Sequence, residues 1–471
     1  MMKAHKASRR DFLKTAAGAA TAGVVAATGV EAGVKTAAAA VPAVRAAAIE
    51  PTGVYWGLNY QPHVGAGHRL ADLFKKTYGA TISVQPQSNP GGSALIAAIA
   101  AGTQPDLVNT NAAGMAGLIL QGALTPIKNS VYQYNHLLPW QNHFAGDAVD
   151  PFSLNNEIYG VPFETDGAIG LVANVPVDAV KKAGLEKLYP PTNGQEYFSS
   201  YEQLYALAKA LQVTVNGKVK RWGLCGEGWD FESMAVIMNT IGTPVFDIAN
   251  NKFNWNTQAG IRAMQYHVEK PVKMGIEKEW NVADADVSQA LNGNVAVTMG
   301  NAQADQDGLK YGYDYVGTGA PIIDGHKPVG VGTGVGWGMV GPVKSQHPNL
   351  QRAFLRMSAT PKGQYAFDLT YGGVPVVAWK DFTENDTSRF HPANKTNGFY
   401  TLATAPYFKR SLLTCKYVGR LGYNNKVSTF TFAACQAVRL GKMNSAQAMA
   451  MLQQQCEAQY KQYTLDLQNL Q

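Results

Sequence analysis

The chain has 471 residues, of which 15% are charged and 46% hydrophobic, and its formal net charge is +7. This length exceeds the roughly 250–300 residues that one hydrophobic core usually serves, so two lobes are expected. The sequence contains no block of basic residues of the kind that binds nucleic acid. Neither H-E-x-x-H nor C-x-x-C occurs, so nothing in the sequence supports a metal site, a redox centre or another cofactor.

The N-terminal segment is predicted to be an export signal that takes no part in the fold. Its stretch S-R-R-D-F-L-K contains Arg9 and Arg10, and a mild Ala- and Gly-rich run follows at 15–30. That run is too short and too weakly apolar to span a membrane. The segment resembles the twin-arginine signal, which implies a translocase as partner and export of the folded protein to the periplasm.

Small residues predict cleavage of this signal after Ala40 or Ala48. No cysteine lies near either position, so a lipid anchor on the mature protein is not expected. Residues 1–50 carry 7 Lys/Arg and 3 Asp/Glu, so 7 − 3 = +4 leaves with the segment and 7 − 4 = +3 remains. The mature protein is therefore close to neutral.

The first elements after the signal alternate between strand and helix. Val54–Leu58 is predicted to be a buried strand, and Leu70, Leu73 and Phe74 stand at the spacing of a helix. Thr81–Val84 is predicted to be the next strand. This order is a βαβ unit, which implies a parallel sheet with helices on both faces.

The alternation continues with a helix at 93–101, a strand at 106–109, a helix at about 113–120 and a strand at 168–174. The helix after Ser200 has a predicted capping box, in which Ser200 caps the helix start and Gln203 reaches back. Its buried stripe is predicted to consist of Leu204, Leu207, Ala208 and Leu211.

Later helices are predicted around 234–238 and at about 261–274, 429–440 and 445–467, the last two meeting at Gly441. Two alternatives stay open for the cysteines. Cys435 and Cys456 could form a disulfide, which an exported protein permits. In the other alternative all the cysteines are buried free thiols, and these are Cys225, Cys415, Cys435 and Cys456.

Four stretches, in this order, resemble the extracellular solute-binding proteins of ABC importers, the large family 1 that includes many sugar-binding members. They are GTQPDLVNTNAAGMAGLILQGALTPI, YGVPFETDGAIGLVANVPVDAVKKAGL with the helix SYEQLYALAKAL, LNGNVAVTMGNA, and GPVKSQHPNLQRAFLRMSATPKGQYAFDLTYGGVPV. The entry to the SYEQL helix departs from the usual Thr-Trp-x-Glu/Asp-Leu of that family. The stretches FTENDTSRFHPANKTNGFYTL and NNKVSTFTFAACQ match no pattern of that family, and the role of residues 380–430 stays open.

The resemblance implies an α/β protein with the two-lobed, type II periplasmic-binding-protein fold. Each lobe would be a mostly parallel sheet flanked by helices, with a ligand cleft and a hinge between the lobes. The first lobe is expected at 51–163 and 300–372, and the second at 164–299 and 373–471.

The resemblance also implies a function without catalysis. The protein would be a periplasmic monomer that captures a small neutral solute and delivers it to an ABC permease in the inner membrane. The sugar-binding members of the family imply a carbohydrate as this solute. Two other functions stay open: an exported enzyme of unknown chemistry, and the same binding fold with a polyamine, an anion or a peptide as ligand.

Ligands of open parallel sheets bind outside the carboxyl ends of the strands. The loops predicted there supply amides, carboxylates and aromatic rings, a mixture that suits a neutral polyol. Each residue has a structural alternative, such as helix capping for Asn111 or core packing for Trp229. The predicted ligand-binding residues are Asn59, Tyr60, His63, Asn111, Glu164, Asp166, Trp229, Asp230, Asn301, Gln303, Trp337 and Tyr371.

Overall fold

The structure is a computed structural model, in which the chain divides into two compact units, residues 1–47 and 48–471. All the described residues belong to the second unit, so Arg9 and Arg10 lie outside them. None of the described helices is long and apolar enough to cross a bilayer. The described residues are 48–127, 143–144, 148–154, 157–163, 172–190, 197–281, 289–290, 292–300, 315–332, 336–368, 416–417 and 425–468.

The strands fall into two main sheets and several short pairs. In chain order they are β1 Thr52–Leu58, β2 Thr81–Gln87, β3 Leu107–Asn111, β4 Ser153–Leu154, β5 Glu157–Ile158, β6 Gly160–Pro162, β7 Val172–Pro176, β8 Val213–Val215, β9 Lys218–Cys225, β10 Phe246–Asp247, β11 Lys252–Phe253, β12 Val295–Met299, β13 Tyr315–Gly319, β14 Val331–Gly332, β15 Trp337–Val340 and β16 Lys416–Tyr417.

The helices surround these sheets. They are α1 Gln61–Tyr78, α2 Ser93–Ala101, α3 Ala112–Leu120, α4 Val177–Lys182, α5 Tyr201–Leu211, α6 Asp230–Thr240, α7 Gln258–Met264, α8 Lys270–Lys273, α9 Pro348–Ser358, α10 Pro361–Asp368, α11 Asn425–Arg439 and α12 Ser445–Gln468. A π-helical turn, Gln265–Glu269, joins α7 to α8 and interrupts the single helix predicted there.

The first sheet has the strand order β2-β1-β3-β15-β6. The strand β1 pairs in parallel with β2 and β3, which confirms the predicted βαβ unit. On α1, Leu70 and Phe74 are fully buried against the sheet, because the helical period places them on one face. The strand β15 runs antiparallel to both β3 and β6.

The second sheet has the order β13-β7-β12-β9-β8, in which β9 and β12 are parallel and the other neighbours are antiparallel. Both sheets are therefore mixed, and the prediction of mostly parallel sheets was wrong. One reason is the hairpin of β8 and β9. Its turn is formed by Asn216 and Gly217, both with positive φ (51° and 74°), which suits the right-handed twist of an antiparallel pair.

The sheet topology also shifts one predicted lobe boundary. The strand β13 at 315–319 belongs to the second sheet, next to β7, whereas the sequence placed 300–372 in the first lobe. The chain next contributes to the first sheet at Trp337. Antiparallel pairing of β13 with β7 keeps this segment in the second lobe, which the sequence pattern around 300 did not indicate.

The predicted capping of α5 is largely confirmed. The Ser200 hydroxyl accepts a hydrogen bond from the Gln203 backbone N–H at 3.3 Å. The Gln203 side chain reaches back as well, but it accepts from the backbone N–H of Ser199 at 2.6 Å and not from that of Ser200. All four residues of the predicted stripe, Leu204, Leu207, Ala208 and Leu211, are buried.

The C-terminal helices α11 and α12 are held in the apolar core of the second sheet. Val427, Cys435, Met449 and Leu452 pack in one cluster with residues of α5 and α6. Gly441 has φ 67° in the turn between the two helices, as predicted for a C-terminal stop. Because this pair closes a large hydrophobic core, it is part of the folded lobe and not an appendage.

The described cysteines are buried free thiols, so the disulfide alternative for Cys435 and Cys456 is wrong. The Cys435 Sγ lies 3.6 Å from the Met234 sulfur. Burial raises the pKa of Cys456 to about 12 and that of Cys435 well above its usual value. Both groups are therefore protonated and unreactive at neutral pH. Cys415 lies outside the described residues.

Candidate ligand-binding site

Polar and aromatic residues meet at one edge of the first sheet. Asn59 and Tyr60 directly follow β1, and Trp337, the first residue of β15, pairs with Asn111, the last residue of β3. Asn59 is exposed, whereas Tyr60, Asn111 and Trp337 are half-buried. We call these four residues the first edge. The Asn111 side chain accepts from the Gly114 N–H at 2.9 Å, so it caps α3 as well.

His63 lies behind the first edge and not at its surface. Its side chain is buried, with 1% of the residue exposed. The imidazole centroid lies 5.8 Å from the ring of Tyr60, 5.1 Å from that of Trp337 and 5.6 Å from that of Phe367. The imidazole therefore supports both aromatic rings of the edge from beneath.

A hydrogen bond fixes the orientation of this imidazole. The Asn109 amide nitrogen donates to the Gly338 carbonyl at 3.1 Å, so its oxygen faces His63. Because that oxygen only accepts, the Nδ1–H of His63 donates to it at 2.7 Å. Burial lowers the pKa of His63 to about 4, although this hydrogen bond acts in the opposite direction. The imidazole is neutral at pH 7.

The second sheet has a comparable edge where the parallel strands β9 and β12 end. The loop 226–230 follows β9, and Gly300 follows β12. The half-buried ring of Trp229 lies against Gly300, where an added Cβ would stand 2.8 Å from the Trp229 Cβ and 3.1 Å from its ring. Gly300 also has φ 125°, so only glycine suits this position. We call Trp229 and Gly300 the second edge.

The two edges are joined by a short connection. The Phe163 N–H donates to the Trp337 carbonyl at 2.9 Å, so the chain leaves the first sheet at the first edge. It enters the second sheet at Val172, next to Ala173, which pairs with Met299 at the end of β12. Nine residue steps separate 163 from 172. They span at most about 32 Å even when fully extended, so Phe163 at the first edge lies within that distance of Val172 in the second sheet.

A buried charge network lies beneath the second edge. The Arg439 guanidinium donates to Asp230 Oδ1 at 2.7 Å and Oδ2 at 3.1 Å, and to Glu277 Oε1 at 3.1 Å. Glu227 lies 3.8 Å from the same guanidinium. The His267 Nε2–H donates to Asp230 Oδ1 at 2.7 Å. The side chains of Arg439, Glu227 and Glu277 are fully buried.

Further contacts from two other segments hold Glu227. Its Oε1 accepts from the Gln436 side chain at 2.7 Å, and its Oε2 accepts from the Trp280 backbone N–H at 2.9 Å. The Gly226 N–H donates to Glu277 Oε1 at 3.4 Å. The polar groups around the loop 226–230 thus come from α11, from the π-helical turn and from residues 277–280.

Two carboxyl groups of this network, those of Asp230 and Glu277, have pKa values shifted in opposite directions. Burial alone would raise the pKa of Asp230, but the Arg439 guanidinium and the His267 hydrogen bond hold it below its ordinary value. Burial raises the pKa of Glu277, and Arg439 offsets this only in part. The single guanidinium is therefore shared unequally, and Asp230 is its main partner.

The structure brings together Asn59, Tyr60, Asn111 and Trp337, and it places Trp229 at the corresponding edge of the other sheet. Asp230 and His63 do not fit the prediction of direct ligand contact. Asp230 is buried with both oxygens engaged, and His63 is buried under the first edge. The predicted residues outside the described part of the chain are Glu164, Asp166, Asn301, Gln303 and Tyr371.

Sequence reasoning missed Arg439 and His267. Arg439 had a usable signal, because it stands four positions after Cys435 on the apolar face of a helix. A charged residue at a core position predicts a buried partner of opposite charge. His267 lacked such a signal, since only the π-helical turn brings its ring to Asp230.

Two mixed sheets flanked by helices, with polar and aromatic residues where their parallel strands end, define a two-lobed α/β binding protein. The chain belongs to the bacterial extracellular solute-binding protein family, whose model matches residues 59–365. This family confirms the resemblance seen in the sequence, and its members act outside the cytoplasm. No curated protein shows significant sequence similarity to the chain.

Solved structures of low sequence identity share this fold. The maltose/maltodextrin-binding domain MalE from Bdellovibrio bacteriovorus, bound to maltotriose, is 16% identical with a TM-score of 0.66, covering 87% of this chain and 100% of that one. A solute-binding protein from Thermotoga lettingae, bound to α-D-tagatose, is also 16% identical with a TM-score of 0.66, covering 87% of this chain and 100% of that one. The maltose-maltodextrin binding protein of Alicyclobacillus acidocaldarius is 14% identical, with a TM-score of 0.63 and coverages of 86% and 100%.

Proposed function

We propose that the protein is the soluble binding component of an ABC importer, which captures a neutral carbohydrate between the two edges and releases it unaltered to the permease. The observation that carries the proposal is the presence of aromatic rings on both edges, Tyr60 and Trp337 on one and Trp229 on the other. Such rings cover the apolar C–H faces of a sugar. Two of the solved structures named above bind carbohydrates, one maltotriose and the other α-D-tagatose.

The amides of the first edge complete the chemistry. Asn59 and Asn111 can each donate to and accept from hydroxyl groups, which a neutral polyol requires. We propose Asn59, Tyr60, Asn111, Trp229 and Trp337 as ligand contacts. The sequence adds Glu164, Asp166, Asn301, Gln303 and Tyr371 to the proposed set.

The described acids next to Trp229 are not available to a polyamine. A cationic ligand requires acidic groups that converge on it, but the acids next to Trp229 already serve Arg439. Burial of these acids leaves them no face toward a ligand. The mature protein would act as a monomer without a cofactor and without catalysis, and the permease would supply the energy of transport.

A carbohydrate panel read by melting temperature tests this function on the mature protein. The panel contains tagatose, maltose, maltotriose and mannotriose, with spermidine, phosphate and a tripeptide as representatives of other classes. A binder at a hundredfold excess over its Kd stabilises the protein by about 2.7 kcal/mol. A shift with spermidine, phosphate or tripeptide alone would contradict the carbohydrate proposal, and turnover of any sugar would favour an enzyme.

Trp229→Ala and Trp337→Ala are each expected to weaken binding of the best carbohydrate about three- to tenfold, because each removes one stacking surface. Isothermal titration calorimetry gives the affinities. Tyr78→Ala is the matched control, since Tyr78 is a partly exposed aromatic at the far end of α1 from Tyr60. Unchanged affinity in both tryptophan variants would contradict the proposed site.

We propose that export proceeds through the twin-arginine pathway. Arg9→Lys with Arg10→Lys is expected to leave the uncleaved precursor in the cytoplasm, because the translocase reads the arginine pair as an address. Cell fractionation with immunoblotting measures the distribution. Lys3→Gln with Lys6→Gln removes two other positive charges from the same segment and should export normally. Equal export of both double variants would contradict this route.

A further inference from the structure

The loop 226–230 carries Trp229 but has little freedom of its own. Gly228 has φ 115°, a conformation that other residues rarely adopt, and Trp229 follows it directly. An added Cβ on Gly226 would stand 2.8 Å from the His267 ring. The backbone on the N-terminal side of Trp229 is thus confined by its own glycines and by its neighbours.

Buried side chains hold the loop on both sides of Trp229. On one side, Glu227 accepts from Gln436 and lies near Arg439. On the other side, Asp230 receives two hydrogen bonds from Arg439. Arg439 therefore reaches an acid before the tryptophan and an acid after it.

Arg439 comes from a part of the chain that the family model does not match. That model ends at residue 365, whereas α11 covers Asn425–Arg439. The helix reaches the second edge because its apolar side packs on α6, where Cys435 contacts Met234. The geometry of the second edge in this chain thus depends on its C-terminal helices.

We propose that Arg439 is a positioning residue for ligand binding, which fixes the loop 226–230 and thereby sets the Trp229 ring for stacking. This inference rests on the proposed carbohydrate function. The guanidinium is suited to the role because its planar fork bonds both oxygens of Asp230 and still reaches Glu277. A lysine ammonium keeps the charge but cannot reproduce this fork.

The test is a double-mutant cycle between Arg439→Lys and Trp229→Ala, with affinity for the best carbohydrate of the panel measured by calorimetry. Arg439→Lys is expected to weaken binding about fivefold in the wild-type background, within the loss expected when the Trp229 ring itself is removed. In the Trp229→Ala background it should weaken binding less than twofold, because its effect acts through the ring. An equal loss in both backgrounds, or no loss in the wild type, would overturn the proposal.

A second readout requires no ligand. The emission of Trp229 is obtained as the difference in fluorescence between a protein and its Trp229→Phe variant. Acrylamide should quench this emission more strongly in Arg439→Lys, because the ring is then more accessible. Unchanged quenching would overturn the proposal. A carbohydrate panel without any binder would overturn the proposed function, and the quenching result would still decide whether Arg439 positions Trp229.

Two variants separate positioning from general destabilisation. Leu452 lies on α12 in the same hydrophobic core, and Leu452→Ala leaves a cavity there. At a temperature where both proteins are folded, this variant should bind the carbohydrate with the affinity of the wild type. Gln436→Leu removes the hydrogen bond to Glu227 and replaces Arg439→Lys in the cycle if the lysine variant does not fold. A loss of affinity in Leu452→Ala equal to that in Arg439→Lys would overturn the proposal.

Discussion

Replacing Arg439 by methionine is expected to lower the free energy of unfolding by about 3–5 kcal/mol, the loss typical when one partner of a buried ion pair is removed. Methionine fills much of the space of the arginine stem but supplies no charge and no donor. Asp230 and Glu277 then remain buried without the guanidinium that both of them contact. Urea titration at pH 7, extrapolated to water, measures the change.

Arg262→Met is the matched control for this prediction. Arg262 also forms a two-pronged pair, with Asp324, but the side chains of that pair are 35% and 52% exposed. Water and salt screen such a pair, so its removal should have a much smaller effect. Equal losses in the two variants would contradict the assignment of Arg439 to a buried network. Asp230→Asn added to Arg439→Met should restore part of the stability, because one unpaired charge is removed.

The local features of this fold could be predicted because neighbouring residues determine them. The start of α5 requires only Ser200 and a glutamine three positions later, and its core face follows from a period of 3.6 residues. The βαβ unit of β1, α1 and β2 is likewise a short-range pattern. Asn216-Gly217 between two alternating runs was an equally local signal for the hairpin of β8 and β9, and it was overlooked.

Features that depend on distant parts of the chain could not be predicted. The strand β15 lies between β3 and β6, so its antiparallel direction depends on segments more than 170 positions away. Nor does any local pattern around 315–319 place β13 beside β7. Strand pairing of this kind is decided by the whole fold, which a reading along the chain does not contain.

In the candidate site, too, some residues follow from local patterns and others depend on distant parts of the chain. Asn59 and Tyr60 were predicted because they directly follow the predicted strand Val54–Leu58. The fold places the end of that strand, the end of β3 and the start of β15 at one edge of the sheet. His63 and Asp230 lie in the first turns of α1 and α6, directly after the strand ends, but both side chains are buried away from a ligand. Whether a polar residue faces the ligand or the core depends on partners such as Asn109 and Arg439, which are distant in sequence.

The wild-type protein is expected to lose about 3 kcal/mol of stability through His63 as the pH falls from about 6.5 to about 4. The pKa of His63 is about 4 in the folded protein and about 6.5 when exposed, because the buried ring resists a charge. Above pH 6.5 the ring is neutral in both states, and its contribution is fully present. Between the two values the unfolded chain binds the proton first, so folding is progressively disfavoured.

The measurement is the free energy of unfolding by urea at half-unit steps of pH from 7 to 4, in the wild type and in His63→Phe. Phenylalanine keeps a ring between Tyr60 and Trp337 but cannot titrate. The variant should be less stable at pH 7, because it leaves the Asn109 oxygen without its donor. The difference between the two proteins should shrink as the pH falls, since only the wild type pays the cost of keeping an imidazole neutral. A difference that stays constant from pH 7 to pH 4 would show that His63 is not buried as a neutral ring beneath the first edge.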